Sequence, residues 1–510
     1  MPALVTIPQD IDETIQIGSA AAGGRRYSFS FRAGMVAANG GAVYQTVRNG
    51  LYLGGIAEIA FELIPREVPA AWVDRIVWMR GIVTSVSFGQ AQAQPGSFSK
   101  GDEVVTVEIE DPREAVNCAC PPWVIDGDDG RFVDVHQSAI GGRIPLALNQ
   151  IYRAPAIRVT SGSPGGQIFV FAQGGGWSID AVYVNGVAKS SGDATYGWSL
   201  RESTDVAGTA YSAVQFTNGA TAWEDSDEVH VTAHAQKFMG PVETIRAVLD
   251  SSSALGTAGY SLRAFGESAG RMPPTTTEPP DNSLIRTGVY APRIYANAGS
   301  GGSQAKALDY VEQSICDSYP MIQMLWTDGG YGPVVVDSRL PPVFALTAQQ
   351  VPLVSIKGLA EVVPRDISTS FGLRYDYDPM NDIYGGISIR DSTDPQCAMM
   401  EQLLGYRVSS DTKESILIPD DPGGAEYIMD WRVAHFGSPS MVVEYEALGS
   451  FFFLCRAGDS VELTDDEMGF ESVRGVIESR GWRKGYCRLR IRIWPKLQMA
   501  RPSAGVPPSA

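Results

Sequence analysis

One stretch decides the fold class: Tyr486-Cys487-Arg488-Leu489-Arg490-Ile491-Arg492-Ile493-Trp494. Leucine and isoleucine side chains alternate here with arginine side chains. Successive side chains of a β-strand point to opposite faces, so the alternation predicts a strand with one apolar and one basic face. Upstream, Asp459–Leu463 and Val473–Glu478 are predicted as two more strands. We therefore expect a β-sheet near the end of the chain.

Similar period-two patterns occur near the N-terminus, in Arg26–Arg32, Ile82–Phe88 and Glu103–Glu110. Several short strands with turn signals between them are typical of a barrel or a sandwich. The β-rich segment that follows contains more Gly and Ser; Gln167–Ala172 is one of its strands, and Asn185-Gly186 is a hairpin turn signal. These patterns predict a β-barrel or sandwich up to about residue 155, followed by an inserted β-domain.

The spacing of apolar residues becomes helical at Val242–Leu249 and again in Ser303–Cys316. Ser303 is the expected N-cap of the second helix, because a serine hydroxyl can accept a hydrogen bond from an amide of the first turn. The segments Met321–Trp326 and Gly332–Asp337 then flank the turn residues of a hairpin. A helix followed by a hairpin predicts a compact α+β unit.

From residue 359 β patterns return, with one short helix at Gly423–Val433. The predicted fold class is mainly β with α+β units: two β-barrel domains, an inserted β-domain and small α+β domains. A chain of this length suits about three to four domains. The predicted domains are a first β-barrel (1–155), an inserted Gly/Ser-rich β-domain (156–240), α+β domains (241–358), a closing β-barrel (359–497) and a disordered tail (498–510).

Composition argues against some function classes. The chain has 40 Lys and Arg against 58 Asp and Glu, a formal net charge of −18. Gripping a nucleic-acid backbone needs clustered basic residues, so this balance argues against a nucleic-acid-binding protein. The longest strongly apolar run, Phe451–Cys455, is far shorter than the roughly 20 residues of a membrane-spanning helix. No basic segment precedes an apolar one at the N-terminus, so no signal peptide is expected and synthesis in the cytoplasm is predicted.

No metal or cofactor site is predicted. The six cysteines are scattered, with only Cys118 and Cys120 close in sequence, and ordinary reduced thiols are expected. The acidic clusters Asp126–Gly130 and Asp465–Glu467 lack the spacing of a calcium loop and are predicted to be solvated turns.

One motif suggests catalysis. Gly266-Glu267-Ser268-Ala269-Gly270 has the G-x-S-x-G spacing of the serine elbow of carboxylesterases, in which a strand turns sharply into a helix and exposes the hydroxyl. Here the Pro-rich segment Met272–Pro280 follows, so a loop is favoured over an elbow. His435 is the only histidine downstream that could act as base. A serine esterase using Ser268 is therefore kept as an alternative, and no residue is assigned a catalytic role. Gly458-Asp459-Ser460 is predicted to be a tight turn that leads into a strand.

A second alternative is a glycan-binding module. The inserted β-domain carries Trp177, Tyr183, Tyr196 and Trp223, which would stack on sugars if exposed. Aromatic side chains in a β-domain more often belong to its core. The two histidines His230 and His234 lie four residues apart on a strand pattern, where an exposed polar face is favoured over a metal pair. These residues therefore leave the function of the inserted β-domain open.

The end of the chain carries a longer pattern. Leu454–Asp465 contains Gly-Asp followed by Val-x-Leu-Thr-Asp, with Ala457 before the Gly, and Val473–Ser479 continues it into the next strand. These stretches resemble the closing barrel of the baseplate or tail-tip hub proteins of tailed bacteriophages, whose pattern has Pro at the position of Ala457. Weaker similarities to the same family occur in Arg80–Val86, Pro241–Asp250 and Ala305–Asp337.

The resemblance implies a structural virion protein at the tail tip or baseplate of a siphophage or related particle, made in the host cytoplasm. Such hubs are homotrimers with two tail-tube-like β-barrels per chain, and they adapt a sixfold tail tube to a threefold tip. The implied partners are a distal tail protein, a tape-measure protein and a central fibre or spike, with DNA only in transit through the channel. Contractile and non-contractile tails both stay open, and the inserted domain 156–240 has no counterpart in this pattern.

Two expectations follow for charge. If acidic groups line the channel, passing DNA is repelled from its wall; alternatively, the net charge only keeps the protein soluble. The basic strand face of Arg488, Arg490 and Arg492 is expected to meet acidic neighbours or solvent. If that face contacts a subunit, a charge reversal such as Arg490→Glu weakens assembly more than folding.

Overall fold

Of the 510 residues, the computed structural model of the chain describes the following: 4–6, 10–14, 26–32, 56–63, 74–90, 103–110, 113, 117–125, 135–160, 167–204, 210–216, 223–224, 226–252, 260–271, 275–276, 289–290, 294–296, 306–326, 330–347, 355–361, 369–392, 395, 398, 402, 410–419, 422–437, 440–448, 455–466, 468–483 and 486–494. Within these ranges the chain is mostly β-strand with few helices. The mainly β class that the sequence predicts is therefore confirmed.

The N-terminal sheet consists of β1 (Leu4–Thr6), β3 (Arg26–Arg32), β4 (Ile56–Leu63), β5 (Asp74–Gln90) and β6 (Glu103–Glu110). Their spatial order is β1-β3-β6-β5-β4, and every neighbouring pair is antiparallel. The three predicted strands of this region all lie in this sheet.

A β-sandwich follows, formed by two four-stranded sheets. Its strands are β8 (Gln150–Pro155), β9 (Ile157–Arg158), β10 (Gln167–Gln173), β11 (Trp177–Val184), β12 (Val187–Lys189), β13 (Trp198–Thr204), β14 (Ala210–Phe216) and β15 (Val229–Ala235). The sheet orders are β13-β14-β10-β9 and β12-β11-β15-β8. Asn185 and Gly186 both have positive φ in the turn between β11 and β12, which confirms the predicted hairpin.

The middle strand β10 of the sandwich is buried on both faces. Phe169 and Phe171 pack into the core between the two sheets, while Ile168 and Val170 pack outward against residues 125–159. The sandwich therefore includes β8 and is backed by a segment that precedes it. The domain bounds given above stay predictions, but the boundary at 155 falls at the end of a strand that belongs to this sandwich.

The central part of the chain is α/β. It contains α1 (Pro241–Ser252), α2 (Leu262–Arg271) and α3 (Ala307–Tyr310), which continues as a π-helical segment at Val311–Cys316. The predicted hairpin is confirmed as β19 (Met321–Leu325) and β20 (Tyr331–Val335). Two small strand pairs complete this part: β7 (Leu146–Leu148) with β18 (Ile294–Ala296), and β16 (Thr275–Thr276) with β17 (Val289–Tyr290).

The α3 helix begins at Ala307, and its first turn is capped by a residue distant in sequence. Asn117 Oδ1 accepts hydrogen bonds from the amides of Leu308 (3.0 Å) and Asp309 (3.3 Å). The predicted cap, Ser303, lies outside the described residues. A cap supplied from another part of the chain leaves no local signal, which is why the sequence did not predict it.

The closing sheet is seven-stranded. It contains β2 (Asp10–Thr14), β21 (Phe344–Thr347), β22 (Ser355–Glu361), β26 (Met441–Leu448), β27 (Ser460–Asp465), β28 (Phe470–Arg483) and β29 (Tyr486–Ile493). The order is β21-β27-β28-β29-β26-β22, and β2 pairs with residues 479–483 of β28. Because β28 is much longer than β27, its far half has a free edge, and the N-terminal strand β2 occupies that edge.

A three-stranded sheet packs on one side of the last helix. Its strands are β23 (Ser370–Asp378), β24 (Ile383–Asp391) and β25 (Ser410–Glu414), in the order β24-β23-β25, and α4 (Pro422–Phe436) lies against β23 and β24. The predicted helix at Gly423–Val433 is thus present and slightly longer. Ile383, Ile387 and Ile389 of the edge strand β24 are exposed.

One continuous apolar core connects the two ends of the chain. It includes Val83 and Ile109 of the N-terminal sheet, Ile245 of α1, and Leu463 and Ile491 of the closing sheet. Among the described strands neither large sheet closes into a barrel, so the predicted barrels appear here as open sheets. Among the described helices, none is both long and apolar enough to cross a membrane.

Candidate functional site

The G-x-S-x-G motif lies inside the helix α2, not in a loop or at a strand-to-helix elbow. Ser268 is 2% exposed, and its Oγ donates a 2.6 Å hydrogen bond to the carbonyl oxygen of Pro333. The prediction of a loop was therefore wrong. A buried serine that already donates its proton to a carbonyl is not presented to a substrate.

Local sequence contains the signal for this helix. Ser261 Oγ accepts a 3.0 Å hydrogen bond from the amide of Ala264, as an N-cap does. Ala264, Phe265 and Ser268 then form the buried side of the helix. The prolines at 273 and 274 end the helix just after Arg271.

Alanine at Gly266 or Gly270 is expected to raise the free energy of unfolding by about 0.5–1 kcal/mol per site. A Cβ at either position would meet no other atom within 4 Å, and alanine is the better helix former. Urea unfolding followed by circular dichroism measures the change. A serine elbow predicts the opposite result, since its glycines cannot be replaced without strain, so marked destabilisation by both variants would contradict the helical assignment.

The second esterase residue, His435, belongs to a buried polar cluster that the sequence did not predict. Its Nδ1 donates to the Trp431 carbonyl at 2.8 Å, and its Nε2 accepts from the amide (3.0 Å) and the hydroxyl (2.9 Å) of Ser338. Trp494 donates its ring N–H to the His435 carbonyl at 3.1 Å. Burial lowers the pKa of His435 to about 4, although the nearby Asp337 carboxylate favours its charged form. The imidazole is therefore neutral at physiological pH.

This cluster has the residue types of a catalytic triad but not its geometry. Asp337 lies 3.9 Å from Nε2, the same nitrogen that faces Ser338, whereas a triad needs the acid on the other nitrogen. Asp337 is instead held by Arg339, whose Nη2 is 2.7 Å from Oδ2. Burial alone would raise the pKa of Asp337. The hydrogen bonds and the positive charge of Arg339 outweigh burial, so the pKa of Asp337 lies below its ordinary value. Asp337, Ser338 and His435 are each at least 97% buried. The cluster is therefore a structural junction between α4 and the segment that follows β20.

The Gly-Asp pair of the closing pattern also has a structural role. Gly458 has φ +92°, and its amide donates to Ile477 O at 2.8 Å, which confirms the predicted tight turn. Asp459 is 1% exposed; its Oδ2 accepts a 2.8 Å bond from the amide of Arg456, and burial raises its pKa. Arg456 in turn bonds Glu267 of α2 at 2.6 Å and stacks over Trp326 at 3.8 Å. The turn thus connects the closing sheet to α2 and the hairpin.

The basic strand face meets acidic groups of the same chain. Glu478 is 8% exposed in its side chain and receives Arg490 Nε at 3.1 Å and Arg492 Nε at 2.5 Å. Across the sheet, Glu444 stands opposite Arg490 and Glu446 stands opposite Arg488. The arginines and glutamates of this face balance each other, so the face is not acidic.

The variant Arg490→Glu is therefore expected to lower the free energy of unfolding by about 2 kcal/mol, because it places a carboxylate beside the nearly buried Glu478. Chemical denaturation of the purified chain measures this. Arg488→Glu is a matched control on the same strand face and should cost much less, since Arg488 has no ion pair within 4 Å in the described structure. Equal stability of Arg490→Glu and the unmodified chain would contradict the intrachain pairing.

The proposed sugar-stacking residues are mostly part of the sandwich core. Trp177 is 5% exposed, and Trp223 packs edge-on or tilted against Phe169, Phe216 and Tyr196. Tyr183 lies on the outward face of its sheet, where Arg153 lies over its ring. The arrangement does not form an exposed aromatic platform among the described residues.

His234 is exposed and lies 2.9 Å from Asp180, whereas His230 on the same strand is only 7% exposed, so the predicted exposed polar face holds for one histidine alone. Asp465 is buried and accepts a 2.9 Å bond from Tyr445, so it is not a solvated turn residue. Asp126–Gly130 lies outside the described residues. Within the described ranges, no three His, Cys, Asp or Glu side chains group as metal ligands would.

No protein-family model and no curated protein matches the chain. Among solved structures, it is similar to a tail protein from Neisseria meningitidis, with TM-score 0.38 and 10% identity over 96% of this chain and 91% of that one. It is also similar to a prophage tail protein from Shewanella oneidensis, with TM-score 0.33 and 10% identity over 96% and 95% of the two chains. A prophage tail protein from Listeria monocytogenes gives TM-score 0.26 and 11% identity over 68% and 90%. Scores of this size do not establish a shared fold.

Proposed function

We propose that the chain is a structural protein of a phage tail or related particle, located at the baseplate or tail tip and acting as its hub. The observation that carries the proposal is the continuous core between the N-terminal and closing sheets, with the α/β part between them. Two β-halves that share one apolar core pack as a single unit, which a subunit that transmits force or closes a ring requires. The closing pattern supports the same proposal, because its Asp459 accepts a hydrogen bond from the amide of Arg456, whose guanidinium bonds Glu267 of α2.

The finer points of the proposal come from the sequence resemblance. The two large sheets would complete barrel-like halves in a homotrimer, and three chains would present a pseudo-sixfold ring to the tail tube. A distal tail protein, a tape-measure protein and a central fibre or spike would be the neighbours, and DNA would pass through the channel. The described part of the arginine-bearing sheet face is charge-balanced, so an acidic channel wall would have to come from other surfaces.

The buried polar clusters favour this proposal over the esterase alternative. Ser268 and His435 have separate hydrogen-bond partners, Pro333 and Ser338, and both are buried. A serine-reactive fluorophosphonate probe tests the alternative directly. Labelling that disappears in Ser268→Ala would restore it.

Electron microscopy of the purified chain, alone and mixed with the proteins encoded beside its gene, tests the hub proposal. Threefold rings with a central channel as wide as a tail tube are expected. Particles that remain monomeric in the presence of these neighbours would contradict the proposal.

A further inference from the structure

The β-sandwich meets the three-stranded sheet at a polar junction. Arg153 of β8 and Asp378 at the end of β23 are 225 residues apart in sequence, and Arg153 Nη1 donates to Asp378 Oδ2 at 2.7 Å. Asp378 is only 6% exposed, and its carboxylate also accepts bonds from Asn381 Nδ2 (2.8 Å) and the amide of Met380 (3.0 Å). The turn between β23 and β24 is thus organised around the same carboxylate that holds Arg153.

Arg153 reaches this position from a strained backbone. Its φ is +45°, a region that side chains other than glycine rarely adopt. It lies where the pairing of β8 with β15 slips by one residue, and its amide donates to Thr232 Oγ1 at 3.1 Å. The bulge aims the guanidinium at Asp378, between the rings of Tyr152 and Tyr183 at 5.2 and 5.1 Å. Strain of this kind persists only where the surrounding contacts impose it.

The junction covers one histidine of the sandwich. His230 and His234 lie on the same outward face of β15, but His234 is exposed and His230 is only 7% exposed. Tyr183, over whose ring Arg153 lies, is the cross-strand partner of His230, so Arg153 and the turn that it binds lie on the same sheet face as this histidine. His230 Nδ1 and Arg153 Nε are buried and have no hydrogen-bond partner among the described residues. Such unpartnered polar atoms make the junction less stable than an apolar contact of the same size.

The neck of the sandwich lies close by. The chain enters it at Asn149, which has φ +63°, and leaves it near Met239, whose amide donates to Asn149 Oδ1 at 2.7 Å. Asn149 Nδ2 also bonds Thr244 Oγ1 of α1 at 3.3 Å. Both crossings of the chain are therefore hydrogen-bonded at one residue, beside Ala147 and Tyr295, which pack against the sandwich core. Units of one chain commonly move relative to each other unless the interface between them is large and hydrophobic.

We infer that Arg153 and Asp378 form a releasable clasp that fixes the sandwich against the β23–β24 turn, with Asn149 as the pivot about which the sandwich turns when the clasp opens. In the closed state the clasp covers His230. When the ion pair separates, the strained bulge at Arg153 relaxes and His230 becomes accessible. The clasp concerns the orientation of the sandwich, so it holds whether or not the chain is a tail hub.

Chemical modification of His230 by diethyl pyrocarbonate, quantified by mass spectrometry on the full-length chain, tests the clasp. Arg153→Gly removes the side chain but accepts the positive φ without strain, so the fold is preserved. We expect the modification rate of His230 to rise about tenfold in this variant, because one charged contact no longer holds the junction closed. Asp378→Asn keeps an acceptor for the Met380 amide and should give the same rise, and the double variant should add little.

The chain contains its own reference residues for this experiment. His234 should react equally in all variants because it is exposed, and His435 should stay protected because it lies in the core. Arg374→Ala is the matched control. It removes an arginine of β23, the strand that also carries Asp378, and the ion pair of Arg374 with Glu414 at 3.1 Å is solvent-exposed. This variant should leave His230 protected. An unchanged His230 rate in both Arg153→Gly and Asp378→Asn would overturn the clasp. So would a rise of His435 in step with His230, which would show that the pair only supports folding.

Discussion

Replacing Gly330 with alanine is expected to lower the free energy of unfolding by about 3 kcal/mol. The β19–β20 hairpin approaches the start of α2 so closely here that Ser261 N donates to Tyr331 O at 2.7 Å. A Cβ on Gly330 would overlap the backbone of Tyr260 and Ser261, with Tyr260 O only 2.7 Å away. Because both partners are backbone, no side chain can rotate to relieve the overlap. Urea unfolding followed by tryptophan fluorescence measures the loss, since Trp326 lies in the same hairpin.

The control for this variant is Gly266→Ala in the adjoining helix α2, where the new methyl group meets open space. The two substitutions are chemically identical and lie in contacting elements, so a difference between them reports the close approach alone. If Gly330→Ala is as stable as Gly266→Ala, the hairpin does not pack against the start of α2 as described. The experiment therefore tests how the central α/β part is assembled.

Acid is expected to destabilise the protein through His435, by on the order of 3 kcal/mol between neutral pH and pH 4. Burial lowers the pKa of His435 from its ordinary value of 6.5 to about 4. Between these two values the unfolded chain binds a proton that the folded chain does not. The contribution is therefore fully present above pH 6.5 and is lost as the pH falls toward 4. Asp337, whose pKa is lowered, adds a loss in the same direction at still lower pH.

The difference between the unmodified chain and His435→Gln isolates this contribution from the many carboxylates that also titrate. Glutamine can accept the hydrogen bond from Ser338 but does not ionise, so the variant should be less stable at pH 7 and show a flatter decline toward pH 4. His234→Gln is the control, since it removes only an exposed pair with Asp180. A pH dependence that is identical in His435→Gln and the unmodified chain would show that His435 is not the buried neutral group described here.

The closing strands show how far local pattern goes. The alternation at 486–493 predicts a strand with one buried face, and the structure has that strand with Leu489, Ile491 and Ile493 buried. The same pattern could not say what the arginines face. Their partner Glu478 sits in the neighbouring strand at a shift in register, and a shift of this kind depends on how two strands pair. The basic face was therefore predicted, but its neutralisation within the chain was not.

Helix α2 shows the converse case, in which a short motif outweighed a better physical signal. The G-x-S-x-G spacing suggested a nucleophile, whereas Ser261 as N-cap and the buried side of Ala264, Phe265 and Ser268 specify an ordinary helix. A motif of five residues has meaning only in its structural context, and here the required strand is absent from the described segment 260–271. His435 was likewise identified as a candidate, but its partner Ser338 was not, because nothing local to either residue indicates their contact.

By itself, the sequence determined the β class, the positions of several described strands and helices, including the last three strands of the closing sheet, and the tight turns at Asn185-Gly186 and Gly458. These features depend on periodicity and on backbone preferences, which act between residues close in the chain. Tertiary structure alone decided that β2 completes the closing sheet, that Asn117 caps α3, that Ser338 meets His435, and that Arg153 clasps Asp378. Each of these contacts joins residues that are far apart in sequence. Polar pairing at such a distance depends on where packing of the apolar core brings the two groups, so the chain carries no local mark of it.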